Sequence, residues 1–258
     1  MRLMKRILSA AAVLALSASL LVGCSSGTAS SVPVSASSAA ESTVSSVEET
    51  ASSAVDENEA AAAQLLNDLT GSYQELWPVI LADEYKQTWL DDCTALVGED
   101  NAEAAFEKLS SMVTGDVYGE DAVKAYANGG GAYFCGFTND LATLTFDGEA
   151  STISGTDKDG NELFSHPYHY IGMEPVRGLY EFESDDADSG EFTYFFLAPD
   201  TSAETYHIEF RYGSDAETLS QYDAGEYAYW VASGISTDCD QTMIDNCIEL
   251  FCTENLAG

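Results

Sequence analysis

The chain has 258 residues, 45% of them apolar, with 44 acidic against 9 basic side chains and a formal net charge of −35. That balance excludes a nucleic-acid partner, which needs a basic footprint, and opposes docking on anionic lipid head groups. The same field keeps the protein soluble and attracts cations.

The chain opens with the basic MRLMKR and the apolar run ILSAAAVLALSASLLVG. Charged start, apolar stretch and small-residue end are the pattern of a secretory signal peptide over residues 1–23. Leu21-Val22-Gly23-Cys24 also resembles the bacterial lipobox, which implies lipidation at Cys24 and anchoring on the extracytoplasmic face of the cell membrane. A multi-chain lipid gains about 0.8 kcal/mol per buried CH₂ and would hold durably. Residues 24–58 carry the lipidated cysteine and a Ser/Ala-rich stretch, with no Lys, Arg or aromatic residue after Cys24. It cannot bury enough apolar surface to offset chain entropy and reads as a disordered tether.

The folded part is expected over residues 59–258, one domain's worth of chain. Its first half has helical spacing from Ala60, interrupted at Asp68-Leu69-Thr70-Gly71 and restricted at Pro78. DEYKQTWLDDCTALVG, NAEAAFEKLSSMVTG and YGEDAVKAYANGGG follow as further helices, with Gly115 as a stop signal. The second half is strand-rich, with turns predicted at Asp147-Gly148 and Asp159-Gly160 and an acidic loop from Asp185 to Gly190. Neither acidic stretch keeps the spacing of a calcium-binding EF-hand loop, so both read as hairpin turns. AETYHIEFRYG reads as a strand with Tyr206, Ile208, Phe210 and Tyr212 on one face and Thr205, His207, Glu209 and Arg211 on the other. QTMIDNCIELFCTEN closes the chain as an amphipathic helix. Antiparallel strands flanked by helices suggest a small barrel or a strongly curved sheet.

Besides Cys24 there are five cysteines: Cys93, Cys135, Cys239, Cys247 and Cys252. An exported domain can form disulfides, but an odd number leaves at least one thiol free or paired outside the chain. Cys247 and Cys252 lie about 140° apart around one helix, which opposes a bond between them.

The order of LTGSYQELWPVI, YGEDAVKAYANGGGAYFCGFTNDLATLTFDG, HYIGMEPVRGLYEFES, AETYHIEFRYG and YAYWVASGIS resembles the ZinT (YodA-like) domain over roughly Leu66 to Glu254. That family is an extracytoplasmic zinc-binding module, also found fused to zinc-binding lipoproteins of ABC importers. The resemblance implies an α+β, mainly β fold: a lipocalin-like (calycin) antiparallel barrel with flanking N-terminal and C-terminal helices. Family members hold zinc with a loop histidine and an H-x-H pair on a strand, where residues i and i+2 share a face. Here the pair reads Thr205-Tyr206-His207, and Asp200 takes the place of the loop histidine. The implied ligand set is therefore Asp200, Thr205 and His207, weaker than three imidazoles because a neutral hydroxyl is a poor ligand.

Glu204 joins only if the preceding turn swings it inward. His166 and His169, three apart in an extended strand, face opposite sides, so at most one can join His207. With Pro167 between them, His166 is expected in the loop leading into the strand. His169 is the further ligand candidate, beside its reading as a satisfied structural histidine.

Two functions follow. One is a lipid-anchored protein that binds zinc or another divalent metal and serves metal uptake, with an ABC metal importer as partner. The alternative is a lipocalin-like module whose zinc site has decayed and which binds a small molecule or a partner, its many Tyr and Phe residues forming either a pocket or a core. No G-x-S-x-G, H-E-x-x-H or phosphate loop is present, so no enzyme activity is expected.

Overall fold

The computed structural model describes residues 57–199 and 207–257. The expected signal peptide, Cys24 and nearly all of the tether lie outside the described residues, as do Asp200, Glu204 and Thr205. Glu57 and Asn58, assigned above to the tether, are already helical.

Eight strands follow one another round a closed barrel: β1 (Gly71–Glu75), β2 (Thr143–Asp147), β3 (Thr152–Thr156), β4 (Glu162–Met173), β5 (Tyr180–Ser184), β6 (Tyr194–Leu197), β7 (His207–Gly213) and β8 (Ala232–Ser236). Every pairing is antiparallel, and β1 closes the ring against β8. An even number of strands lets an antiparallel meander close, and closure removes both sheet edges. The expected α+β barrel is thus the architecture found.

Alternation along each strand decides what faces inward. Register matches Tyr73 with Leu144, Phe146 with Ile153, Phe182 with Phe195, and Phe195 with Tyr212. These residues, with Phe164, Tyr168, Leu197, Ile208 and Phe210, form one buried cluster. Eight strands enclose a lumen just wide enough for such side chains. The tyrosines and phenylalanines of the wall are therefore core, and the lumen is filled. Gly155 supplies room within it: a Cβ there would stand 2.4 Å from both Leu141 Cδ1 and Phe164 Cε1.

Helix α1 (residues 57–68) presents Ala62, Leu65 and Leu66, followed by Leu69, to the same cluster. Their spacing of three, one and three is that of a single helical face.

A second core lies outside the barrel. It is built by α2 (Leu76–Ile80), α3 (Lys86–Val97), α4 (Glu99–Val113) and α7 (Gln241–Leu256) against Ile235 of β8. Trp89 is fully buried there and donates its indole N–H to Ile80 O at 2.7 Å, fastening α3 to α2. Gly98, at φ +84°, turns α3 into α4 without the steric penalty of a side chain. Two smaller helices, α5 (Glu120–Ala127) and α6 (Ala216–Leu219), lie between the others. α4 ends at Val113, two residues short of the expected stop at Gly115. The glycine serves close approach there, since a Cβ would fall 2.2 Å from Ala132 O.

Among the described residues no helix is long and apolar enough to cross a membrane.

Candidate functional site

His207 is the first described residue of β7 and pairs with Ile235 of β8. Ile208, Phe210 and Tyr212 belong to the lumen cluster, so His207, Glu209 and Arg211 project outward. This is the two-face division read from the sequence. The outward side of Ile235 is buried in the helical core, which places His207 where the barrel wall meets the helices.

A groove of about 30 Å³ lies at that junction. His207 and Glu209 line it from the strand, Leu76, Trp77 and Ile80 from α2, and Cys247, Leu250, Phe251 and Glu254 from α7. The α7 contributors recur at i, i+3, i+4 and i+7, so one helical stripe supplies that wall. The sequence reading missed it. The signal was available in that spacing, but which strand the stripe would face was a matter of tertiary structure.

The groove mixes one imidazole, two carboxylates, one thiol and an apolar floor. Burial, then the neighbouring Cys239, Glu209 and Glu254, pushes the Cys247 thiol up to about 12. Without a metal it stays protonated at neutral pH and forms part of the wall. Among the described residues, no three His, Cys, Asp or Glu side chains come together as a metal-holding group. A cation at His207 would need donors from residues 200–206, immediately before it in sequence, or from water.

The structure does not bring His169 to His207. His169 sits on β4, and β5 and β6 intervene before β7. Three strand spacings make roughly 14 Å. Its Nδ1 instead meets Asp185 Oδ1 at 2.7 Å. His166 lies within β4, not in a loop before it, and pairs with Ile153 of β3. Its Nδ1 stands 2.8 Å from Asp186 Oδ2. Pro167 stands opposite Thr152, the first residue of β3, and one residue before the β5 pairing begins at Tyr168, so its missing N–H falls at the ends of both ladders. The two histidines face opposite sides, as expected, and each tethers one aspartate of the β5–β6 loop.

On the other side of Trp77 lies a larger cleft, of about 340 Å³, between α2, the end of α4 and residues 134–136. Glu75 Oε1 lines it but is held by the N–H of Phe137 at 2.6 Å. The Trp77 indole N–H is buried, and the Cys135 thiol of the same cleft is the group it interacts with.

No protein-family model matches the sequence, and no curated protein matches it. Among solved structures, the chain is similar to the Zn(II)-bound ZinT-like domain of Streptococcus pneumoniae AdcA, at 16% identity and a TM-score of 0.45, over 71% of this chain and 89% of that one. It is similar also to Zn(II)-bound AdcA of the same organism, at 16% identity and a TM-score of 0.41, over 75% of this chain and 35% of that one.

Proposed function

We propose that this protein binds a divalent metal ion, zinc above all, at the junction of β7 and α7, with His207 as the anchoring ligand. The observation that carries this reading is the place of His207: an outward imidazole where the barrel wall meets α7, in a groove whose rim carries Glu209 and Glu254 as negative charge rather than as a closed ligand set. Asp200 is the carboxylate that the ZinT resemblance sets beside His207, and water would complete the shell. A chain of net charge −35 also concentrates cations at its surface. The metal is cargo in this reading. The protein would be held outside the cell membrane through lipidated Cys24, would capture the ion for an ABC metal importer, and would catalyse no reaction.

The packed lumen speaks against a ligand inside the barrel. A small molecule would have to use the larger Trp77 cleft instead, of about 340 Å³, whose lining includes Trp77, Pro78, Leu81, Val113 and Phe134. That observation keeps the small-molecule reading as the second one.

Calorimetric titration with Zn²⁺, beside His207→Ala and a Ca²⁺ titration, decides between them. One tight site, lost in the variant and indifferent to Ca²⁺, supports the metal reading. Weak multi-site binding that survives the substitution would mean generic attraction to an acidic surface, and would overturn it.

A further inference from the structure

Cys93 Sγ on α3 lies 3.9 Å from Cys252 Sγ on α7, and both residues are fully buried. No other cysteine pair among the described residues approaches this closely in the hydrogen-bond geometry. The contact sits within a well-defined helix pair. Thr88 Oγ1 meets Asp245 Oδ1 at 3.5 Å, and Trp89 packs edge-on against Phe251 at 6.0 Å. The contacts advance together from Thr88 and Asp245 to Cys93 and Cys252, so the two helices run in the same direction past one another. To reach a bond length of about 2.05 Å, the sulfurs must close by roughly 2 Å. Side-chain rotation between packed helices is the motion required.

We propose that Cys93 and Cys252 are the partners of a disulfide that joins α3 to α7 when the protein meets a disulfide oxidant RSSR. One cysteine thiolate attacks the oxidant, forming a mixed disulfide and releasing RS⁻. The other thiolate then attacks the protein sulfur of that mixed disulfide and releases the second RS⁻. The two thiol protons end on the two released RS⁻, and the oxidant takes up the two electrons.

Burial raises both thiols above their ordinary values and shields them from a soluble oxidant. The exchange therefore proceeds while α7 is undocked, during folding or a transient opening. The closed ring would run from residue 93 to residue 252 and enclose all but the first strand of the barrel. It would also latch α7, whose Phe251 and Glu254 line the His207 groove. The cross-link does not depend on what that groove binds.

The full chain is refolded with oxidised glutathione, alkylated under denaturing conditions and cleaved after glutamate. Cleavage after Glu249 separates Cys247 from Cys252. A mass-mapped peptide pair joining Cys93 to Cys252, lost in both Cys93→Ala and Cys252→Ala, is the expected result. The oxidised protein should melt roughly 5–10 °C above the reduced one. Alkylation of both thiols after oxidative refolding, or Cys252 joined to another cysteine, would overturn the proposal. The wild-type peptide map decides alone if either variant fails to fold.

Discussion

The hydroxyl of Tyr212, inside the barrel, accepts the backbone N–H of Thr138 at 2.6 Å and donates to Thr138 O at 2.9 Å. One lumen side chain thus satisfies both backbone groups of a residue in the loop between α5 and β2. Tyr212→Phe keeps the ring contacts with Phe195, Phe210 and Trp230 but removes both bonds. The expected loss is about 1–3 kcal/mol, the cost of leaving partly buried backbone groups unpaired. Urea denaturation measures it, and amide exchange at residues 137–141 should quicken.

The two Asp-Gly turns separate two reasons for glycine. Gly160 has φ +80° and open space around it, whereas Gly148 lies so close to α1 that a Cβ would stand 2.4 Å from Asn67 Cα. Gly160→Ala should cost about 1–2 kcal/mol of backbone strain. Gly148→Ala should cost more, roughly 1–3 kcal/mol with displacement of α1, because the obstacle is backbone. Thermal melts of both variants rank them, and equal shifts would refute the distinction.

What the sequence disclosed follows the range of the interactions involved. The turns, the two faces of β7 and the amphipathic α7 are local patterns, and all three were readable. β1 was not: GSYQE is five residues with one large apolar side chain, and it interrupts a helical stretch. Only pairing with β2 and β8, distant in sequence, makes it a strand. The candidate site divides in the same way. His207 was found on its strand, whereas Glu254 and Trp77 join it only because α7 and α2 pack on that side of the barrel. His166 was misplaced because Pro167 suggested a loop, while β4 holds that proline where its pairings with β3 and β5 end.

Arg211 shows what the outward face of β7 becomes away from the groove. It is fully buried, and its guanidinium donates to the carbonyls of Leu219, Gln221 and Tyr227. Its Cζ lies 4.4 Å from the centre of the Tyr222 ring, against which Arg177 also rests at 4.2 Å. Burial pulls the group down to about 10, so it remains charged at neutral pH. Arg211→Met keeps most of the volume but strands three carbonyls, for an expected loss of roughly 3–5 kcal/mol. Chemical denaturation checks the magnitude, and proteolysis within residues 219–227 checks the location.

Zinc affinity offers a prediction about the groove. If His207 binds as the neutral imidazole, affinity must fall in acid, because protons compete for the ligand nitrogen. Glu254→Gln should weaken binding severalfold without the complete loss expected of His207→Ala, since it removes charge at the rim rather than the anchoring donor. Titrations of both variants across neutral and mildly acidic pH test this. An affinity unchanged by acid would exclude imidazole ligation.

Asp92 carries a pH dependence of its own. It is half-buried on α3, its Oδ2 has no hydrogen-bond partner, and Glu249, Asp245 and Asp91 stand nearby. Burial first, then those like charges, raises its pKa above the ordinary carboxylate range. The folded state therefore keeps a proton at pH values where the unfolded chain has released it. The group's contribution to stability is fully present below the unfolded value, about 3.9, and is lost as pH rises through the raised folded value. Asp92→Asn mimics the protonated form at every pH. It should raise the melting temperature at neutral pH and leave it nearly unchanged below about pH 4, so the difference between variant and wild type should grow with pH. Melting curves of the pair from acid to neutrality read that difference directly. A constant offset would mean that the substitution acts through packing, and not through the charge that Asp92 acquires between α3 and α7.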